Sequence, residues 1–214
     1  MPSVSSSSSA SSSSVSLAVV PRLFCLVAPT DDLALLPALA EVGVDGFQVR
    51  AKQATDREVL ALTRLVIGAV RPFGAMVVVD DRVDLALAAG ADGVHLGADD
   101  LPVALARRIA PDLVVGATCR TPADVRRAAA DGASYAGFGP VWATSSKSGL
   151  PAPLGPASLT RATGPLPLVA IGGVEAGRAG EAVAAGAHGV AVIGAVWGAR
   201  DPVASAKELV AAVG

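Results

Sequence analysis

Aromatic side chains make up only 3% of this chain, and cysteine and histidine occur twice each. Cys25 lies in an apolar run and Cys119 just beyond another, so the two thiols have no metal-ligand spacing and read as reduced, intracellular cysteines with no required function. A basic surplus is also missing. With a formal net charge of -2, neither nucleic acid nor an anionic membrane is expected as a partner, and any positive site must be local. No apolar stretch reaches the length of a membrane span without a charge or a proline, so a soluble, cytoplasmic protein is expected. Long runs alternating apolar with polar residues are absent too, which argues against an antiparallel sandwich. Residues 1–16 are almost all serine, without a charged n-region, and the apolar run after them is broken by Pro21 and Arg22, unlike a secretory signal. The expectation is a disordered tail over 1–17 and one domain over 18–214.

What is present is small and aliphatic. Hydrophobic residues are 52% of 214, enough for one sizeable core built of buried parallel strands covered by helices. A short motif recurs: Gly43-Val-Asp-Gly, Gly90-Ala-Asp-Gly, Gly132-Ala-Ser-Tyr and Gly186-Ala-His-Gly. Each copy follows an alanine-rich helical segment and opens an apolar strand, the place where a helix C-cap glycine belongs. Filling in between the copies predicts strands near 22–27, 45–50, 75–80, 92–96, 112–117, 134–138, 167–171 and 189–193. They alternate with helices near 32–42, 55–71, 83–89, 101–109, 122–131, 156–163, 175–185 and 202–212. Such a chain closes most economically as an α/β fold, a single (β/α)8 TIM barrel; an open doubly wound sheet is the alternative.

In a barrel the chemistry sits at the C-terminal strand ends. The second strand ends Gln48-Val49-Arg50-Ala51-Lys52, and a period of two puts Gln48, Arg50 and Lys52 on one face. Two cations on one face suit an anion; solvated strand-end charges are the simpler alternative. The third strand runs into Asp80-Asp81-Arg82 and the fourth into Ala98-Asp99-Asp100. Such carboxylates could converge on a hard divalent cation, Mg²⁺ where a diphosphate completes its shell, or cap the following helices. After the sixth strand, residues 137–149 break at Gly139-Pro140 and run into Thr144, Ser145, Ser146 and Lys147, which supply donors and one positive charge without bulky acceptors. They do not form a Walker loop, whose glycine and lysine spacing is absent. The seventh strand ends Ile171-Gly172-Gly173 and the eighth Ile193-Gly194, glycines that let backbone amides approach a phosphate. His95, inside an apolar strand, reads as a hydrogen-bonded core residue, and His188 as a residue of the opposite, stabilising face.

At these strand ends the sequence resembles thiamine phosphate synthase and the related thiazole tautomerase branch, over essentially all of 20–213. The motifs are Gln48-x-Arg50-x-Lys52, Asp81-Arg82-x-Asp84-Leu85-Ala86, Gly93-Val94-His95-Leu96-Gly97-x-x-Asp100, Gly137-x-Gly139-Pro140-Val141-x-x-Thr144-x-Ser146-Lys147 and Ala170-Ile171-Gly172-Gly173. The resemblance implies a Mg²⁺-dependent transferase that joins a hydroxymethylpyrimidine diphosphate to a thiazole phosphate, or its carboxylated form, and releases diphosphate. It implies that residues 48–52 (Gln48, Val49, Arg50, Ala51, Lys52), Asp80, Thr118 and Lys147 hold the pyrimidine diphosphate. Arg50, Lys52 and Lys147 then stabilise the departing charge, and Asp81 with Asp100 binds Mg²⁺. Thr144, Ser145, Ser146, Gly173, Ile193 and Gly194 are implied to hold the thiazole phosphate. A homo-oligomer is left open.

The sequence departs from the family pattern at four of these places. Asp80 stands where the family usually has Asn, Ala98 where it has Gln, and Thr118 and Gly194 each where it has Ser. The tautomerase branch carries a histidine in the loop after the fifth strand, and here that position is Arg120, so the synthase is the expected activity. Two alternatives stand beside it: a tautomerase-like enzyme, and a non-catalytic phosphate-binding or regulatory barrel.

Overall fold

The computed structural model describes residues 20–144, 149 and 151–214; the tail expected at 1–17 lies outside them. Among the described residues the strands are β1 (Leu23–Val27), β2 (Gly46–Val49), β3 (Met76–Asp80), β4 (Gly93–Leu96), β5 (Val114–Cys119), β6 (Tyr135–Phe138), β7 (Leu168–Ile171) and β8 (Gly189–Val192). They pair in parallel and in chain order, and β1 bonds to both β2 and β8, so the barrel is closed. The helices around it are α1 (Leu36–Glu41), α2 (Asp56–Val70), α3 (Val83–Ala89), α4 (Val103–Ile109), α5 (Pro122–Ala130), α6 (Ala157–Ala162), α7 (Ala176–Ala184), α8 (Gly194–Trp197) and α9 (Pro202–Val213).

The apolar strand runs follow from this geometry, because both strand faces are buried. On β3, Val77 and Val79 join the layer under the helices while Val78 joins the barrel interior. The helices start where their sequences can cap them. Thr55 and Glu58 form a reciprocal capping box at α2, and Thr121 and Asp124 another at α5. The buried stripe of α2, Val59, Leu62, Thr63, Val66 and Val70, has the three-and-four spacing of one helix face.

The recurrent glycine motif works at the opposite end of the barrel from the strand tips. Gly43, Gly90, Gly132 and Gly186 all have positive φ, between +72° and +107°, the conformation of a helix C-cap. Two residues on, each copy places a polar side chain that fastens a neighbouring segment. The Asp45 carboxylate accepts from the Arg22 and Leu23 amides at 2.9 and 2.8 Å. Asp92 accepts from the Val77 amide at 2.8 Å, and Ser134 from the Val115 amide at 3.1 Å. His188 meets the Val20 carbonyl through Nε2 at 2.8 Å, so that nitrogen carries the proton.

Above these clasps the interior is plugged by Phe24 and Tyr135, both fully buried, their rings stacked 5.3 Å apart. Gly46 and Gly116 leave the space they occupy: a Cβ at Gly46 would lie 2.7 Å from the Phe24 ring, and one at Gly116 would overlap Tyr135.

Two elements differ from the sequence expectation. The first helix is split into a 3₁₀ turn, Leu33–Leu35, capped by Asp32, and then α1. Pro37 lies in the first turn of α1, and proline has no N–H to continue an earlier helix. The four-residue α8 after β8 was not expected; it is too short to show periodicity, and Trp197 anchors it by donating from Nε1 to the Leu26 carbonyl at 2.6 Å.

Candidate functional site

The C-terminal strand ends surround a cavity of about 370 Å³. A larger depression, about 560 Å³, opens at the other end of the barrel near the start of β3 and β5, where Arg71 is already paired with Asp92 at 3.0 Å. That face is the one tied by the motif side chains, which leaves the strand tips as the face for chemistry.

The period of two on β2 delivers Gln48, Arg50 and Lys52 to the cavity wall. Val49 and Ala51 point away, into the layer packed under the helices, and can offer the cavity only backbone. Asp80, at the tip of β3, receives a hydrogen bond on Oδ1 from Gln48 Nε2, and its Oδ2 lies 3.5 Å from Arg50 Nε. Burial, helped by the charge of Asp81, pushes the Asp80 carboxyl from 3.8 up to about 7, against the pull of Gln48, Lys52 and Arg50.

Asp81 is, among the described residues, the non-glycine with positive φ, +64°, a conformation that Asp tolerates better than most side chains. Its Oδ2 accepts from Lys52 Nζ at 2.6 Å. Asp100 reaches the same place from the loop after β4, where its Oδ2 accepts from the Gly97 amide at 2.7 Å. Burial alone would raise both carboxyls. Asp100 is raised, by burial and then by Asp81, whereas hydrogen bonds from Asp100 and Lys52 hold Asp81 below the usual range. The two carboxyls are thus hydrogen-bonded neighbours pushed in opposite directions, Asp100 up and Asp81 down.

No group of three or more His, Cys, Asp or Glu side chains suited to a metal occurs among the described residues. A carboxylate pair fits an ion such as Mg²⁺, which takes one or two protein carboxylates and completes its shell with waters and phosphate oxygens. Helix capping does not explain these aspartates: the N-caps of α3 and α4 are Arg82 and Pro102.

The cavity floor is polar at one point. His95 holds Tyr135 Oη with Nδ1 and Thr118 Oγ1 with Nε2, both at 3.1 Å. Burial brings its pKa down to about 4, overriding the attraction of Asp81, so the imidazole is neutral at pH 7. The Thr118 hydroxyl thus stands in the cavity on a fixed histidine. Leu26, Val169, Ile171, Ala191 and Ile193 make an apolar wall beside it.

On the far side, Gly172 and Gly173 turn with φ of +96° and +66° directly beneath the loop that leaves β6. The Val141 and Trp142 amides donate to the Ile171 and Gly172 carbonyls at 2.9 and 3.0 Å, so close an approach that a Cβ at either glycine would strike Pro140 or the Ala143 carbonyl. Thr144, Gly173, Ile193 and Gly194 line the cavity here. Ser145, Ser146 and Lys147 lie outside the described residues. Arg120 binds both feet of this loop, donating to the Gly139 carbonyl at 3.1 Å and the Ala152 carbonyl at 3.0 Å. His95 is the hydrogen-bonded residue within its strand that the sequence suggested and also lines the cavity, whereas sequence reasoning did not raise Tyr135 or Arg178 as site residues. Tyr135 opens β6 and reaches the site only through the barrel interior, and Arg178 is a single cation on an alanine-rich helix.

Residues 17–196 match the family model described as thiamine monophosphate synthase. The thiamine-phosphate synthase of Chlorobium luteolum is 40% identical over 194 residues, covering 88% of this chain and 92% of that one. The bifunctional thiamine biosynthesis protein ThiM/ThiE of Symbiobacterium thermophilum is 48% identical over 190 residues; the match takes in 87% of this chain but 40% of that longer protein. Among solved structures, the thiamine phosphate pyrophosphorylase of Pyrococcus furiosus superposes with a TM-score of 0.82 at 34% identity, covering 90% of this chain and 95% of that one. With the barrel, the strand-end residues and these matches in agreement, the chain belongs to the thiamine monophosphate synthase family, as a transferase of thiamine biosynthesis.

Proposed function

We propose that the cavity joins a hydroxymethylpyrimidine diphosphate to a thiazole phosphate, in the cytoplasm and with Mg²⁺, giving thiamine phosphate and free diphosphate. The observation that carries this reading is the division of one cavity into two anion-compatible ends. Arg50 and Lys52 stand at the end formed by β2, and the Gly172–Gly173 turn and Gly194 at the end formed by β7 and β8. A diphosphate and a monophosphate need such a pair of ends, and the apolar wall between them suits two heteroaromatic rings.

Arg50 and Lys52 place positive charge where the diphosphate gains negative charge as its C–O bond breaks. Lys147 is assigned the same role from the sequence. Asp81 and Asp100 would hold Mg²⁺, which supplies charge neutralisation to the leaving diphosphate. The methylene carbon of the pyrimidine, left electron-poor, is taken by the thiazole nitrogen, forming the C–N bond. The β7–β8 end holds that ring in place, so proximity rather than proton transfer limits this step. Neutral His95 fixes the Thr118 hydroxyl as a hydrogen-bonding partner for the pyrimidine and takes no proton. Arg120, with its guanidinium spent on two carbonyls, leaves no proton carrier after β5, which disfavours tautomerisation.

The test is an assay of purified protein with both substrates and Mg²⁺, following thiamine phosphate and diphosphate together. Equimolar formation of the two, abolished by chelation, is expected. Binding of both phosphates without product would instead support a regulatory barrel, and isomerisation of a thiazole carboxylate phosphate would support a tautomerase.

A further inference from the structure

Arg178 occupies the first turn of α7, just past the Gly172–Gly173 turn, and lines the cavity at its β7 end. Three contacts fix its guanidinium there. Nη1 donates to the Gly173 carbonyl at 2.7 Å, the guanidinium carbon lies 5.8 Å from the centre of the Trp142 ring, and Glu175 Oε1 is 3.8 Å from Nη1. Nε and Nη2 have no hydrogen-bond acceptor among the described residues. The Glu175 side chain is 74% exposed against 41% for Arg178, so this ion pair is solvated and weak.

Among the described residues, the donors assigned to the thiazole phosphate, Thr144 and the backbone at Gly173, Ile193 and Gly194, are all neutral. A phosphate dianion held by neutral donors alone leaves its charge uncompensated in a partly dehydrated cavity, and the described cations of the diphosphate end belong to β2, two strands from β8 and three from β7 round the barrel. A guanidinium stacked on an indole and tied to a carbonyl is pre-organised, and its remaining N–H groups suit phosphate oxygens. Resting on the proposed reaction, we infer that Arg178 is the cation of the thiazole-phosphate end and sets the preference for a phosphorylated over an unphosphorylated thiazole.

The experiment compares wild type with Arg178→Met, which keeps an apolar stem over Trp142, and Arg178→Lys. Each is assayed with thiazole phosphate and with the corresponding thiazole alcohol at fixed pyrimidine diphosphate. The expected result is a fall of roughly 10- to 100-fold in the ratio of kcat/KM for phosphate over alcohol in Arg178→Met, the loss appropriate to a charge-assisted hydrogen bond. Arg178→Lys should recover part of it, and KM for the pyrimidine diphosphate should move less than about twofold. If both thiazoles lose kcat/KM equally, Arg178 merely braces the glycine turn and the inference is overturned. Calorimetric titration with thiazole phosphate alone gives a readout separate from turnover. Should wild type make no product yet bind thiazole phosphate roughly tenfold more tightly than Arg178→Met, the proposed reaction fails and the Arg178 site stands; equal affinities overturn the site.

Discussion

Arg50 Nε lies 3.5 Å from Asp80 Oδ2, with the Asp80 side chain only 9% exposed, so one of the described diphosphate-end cations is already partnered by a buried acid. Gln48 hydrogen-bonds the other oxygen of the same carboxyl. Replacing Asp80 by Asn keeps an acceptor for Gln48 and removes the charge that competes for Arg50. At pH 8 the KM of Asp80→Asn for the pyrimidine diphosphate should fall several-fold, a change on the scale of a partly screened charge pair. At pH 5.5 wild-type Asp80 carries its proton, given a pKa of about 7, and the difference should shrink. Steady-state kinetics at the two pH values check both statements; an equal or larger KM at pH 8 contradicts them.

Asp80 and His95 should also leave opposite marks on stability. Asp80 titrates near 7 when folded against 3.8 ordinarily, so the folded state holds the extra proton and stability falls as pH rises through that window. His95 titrates near 4 when folded against 6.5 ordinarily, so the unfolded state holds the extra proton and stability falls as pH drops from 6.5 to 4. Between pH 4 and 6.5 the two slopes, each at most about 1.4 kcal/mol per pH unit, offset one another. Denaturant unfolding of Asp80→Asn should expose the acid-side loss, and His95→Gln the loss on raising pH. Parallel pH profiles for wild type and both variants would count against this assignment.

Gly116 lies against two side chains with nowhere to move. A Cβ there would overlap the fully buried Tyr135 ring and lie 2.5 Å from His95 Nδ1. Gly116→Ala should therefore destabilise the barrel by about 1–3 kcal/mol, the usual cost of overpacking, and disturb Thr118 through His95. Gly68, with nothing within 4 Å of its added Cβ, is the matched control: Gly68→Ala on α2 should be neutral or slightly stabilising. Thermal melts of the pair decide it.

The barrel was legible because its signals are local and repeated. Gly43, Gly90, Gly132 and Gly186 mark helix ends by a conformational need that only the nearby backbone sets. Gln48, Arg50 and Lys52 share a face because a strand has a period of two. What the sequence hides is long-range. The pairing of Asp80 with Arg50 depends on the β2–β3 register, Gln48 opposite Val78 and Val49 opposite Val79. The left-handed turn at Asp81, the Tyr135 ring beneath His95 and the stacking of Arg178 on Trp142 likewise arise only when separate loops meet. The roles of Ser145, Ser146 and Lys147 rest on the sequence alone.

On the proposed reaction the tip of β3 divides its work: Asp81 would hold Mg²⁺ with Asp100, while Asp80 partners Gln48 and Arg50. The most direct measurement is a Mg²⁺ titration of diphosphate release in wild type, Asp81→Ala and Asp80→Asn. The prediction is that Asp81→Ala loses at least about 100-fold in rate, in keeping with the several kcal/mol a metal contributes to a departing diphosphate, while Asp80→Asn keeps its Mg²⁺ saturation curve. Loss of Mg²⁺ saturation in Asp80→Asn together with wild-type behaviour in Asp81→Ala would contradict it.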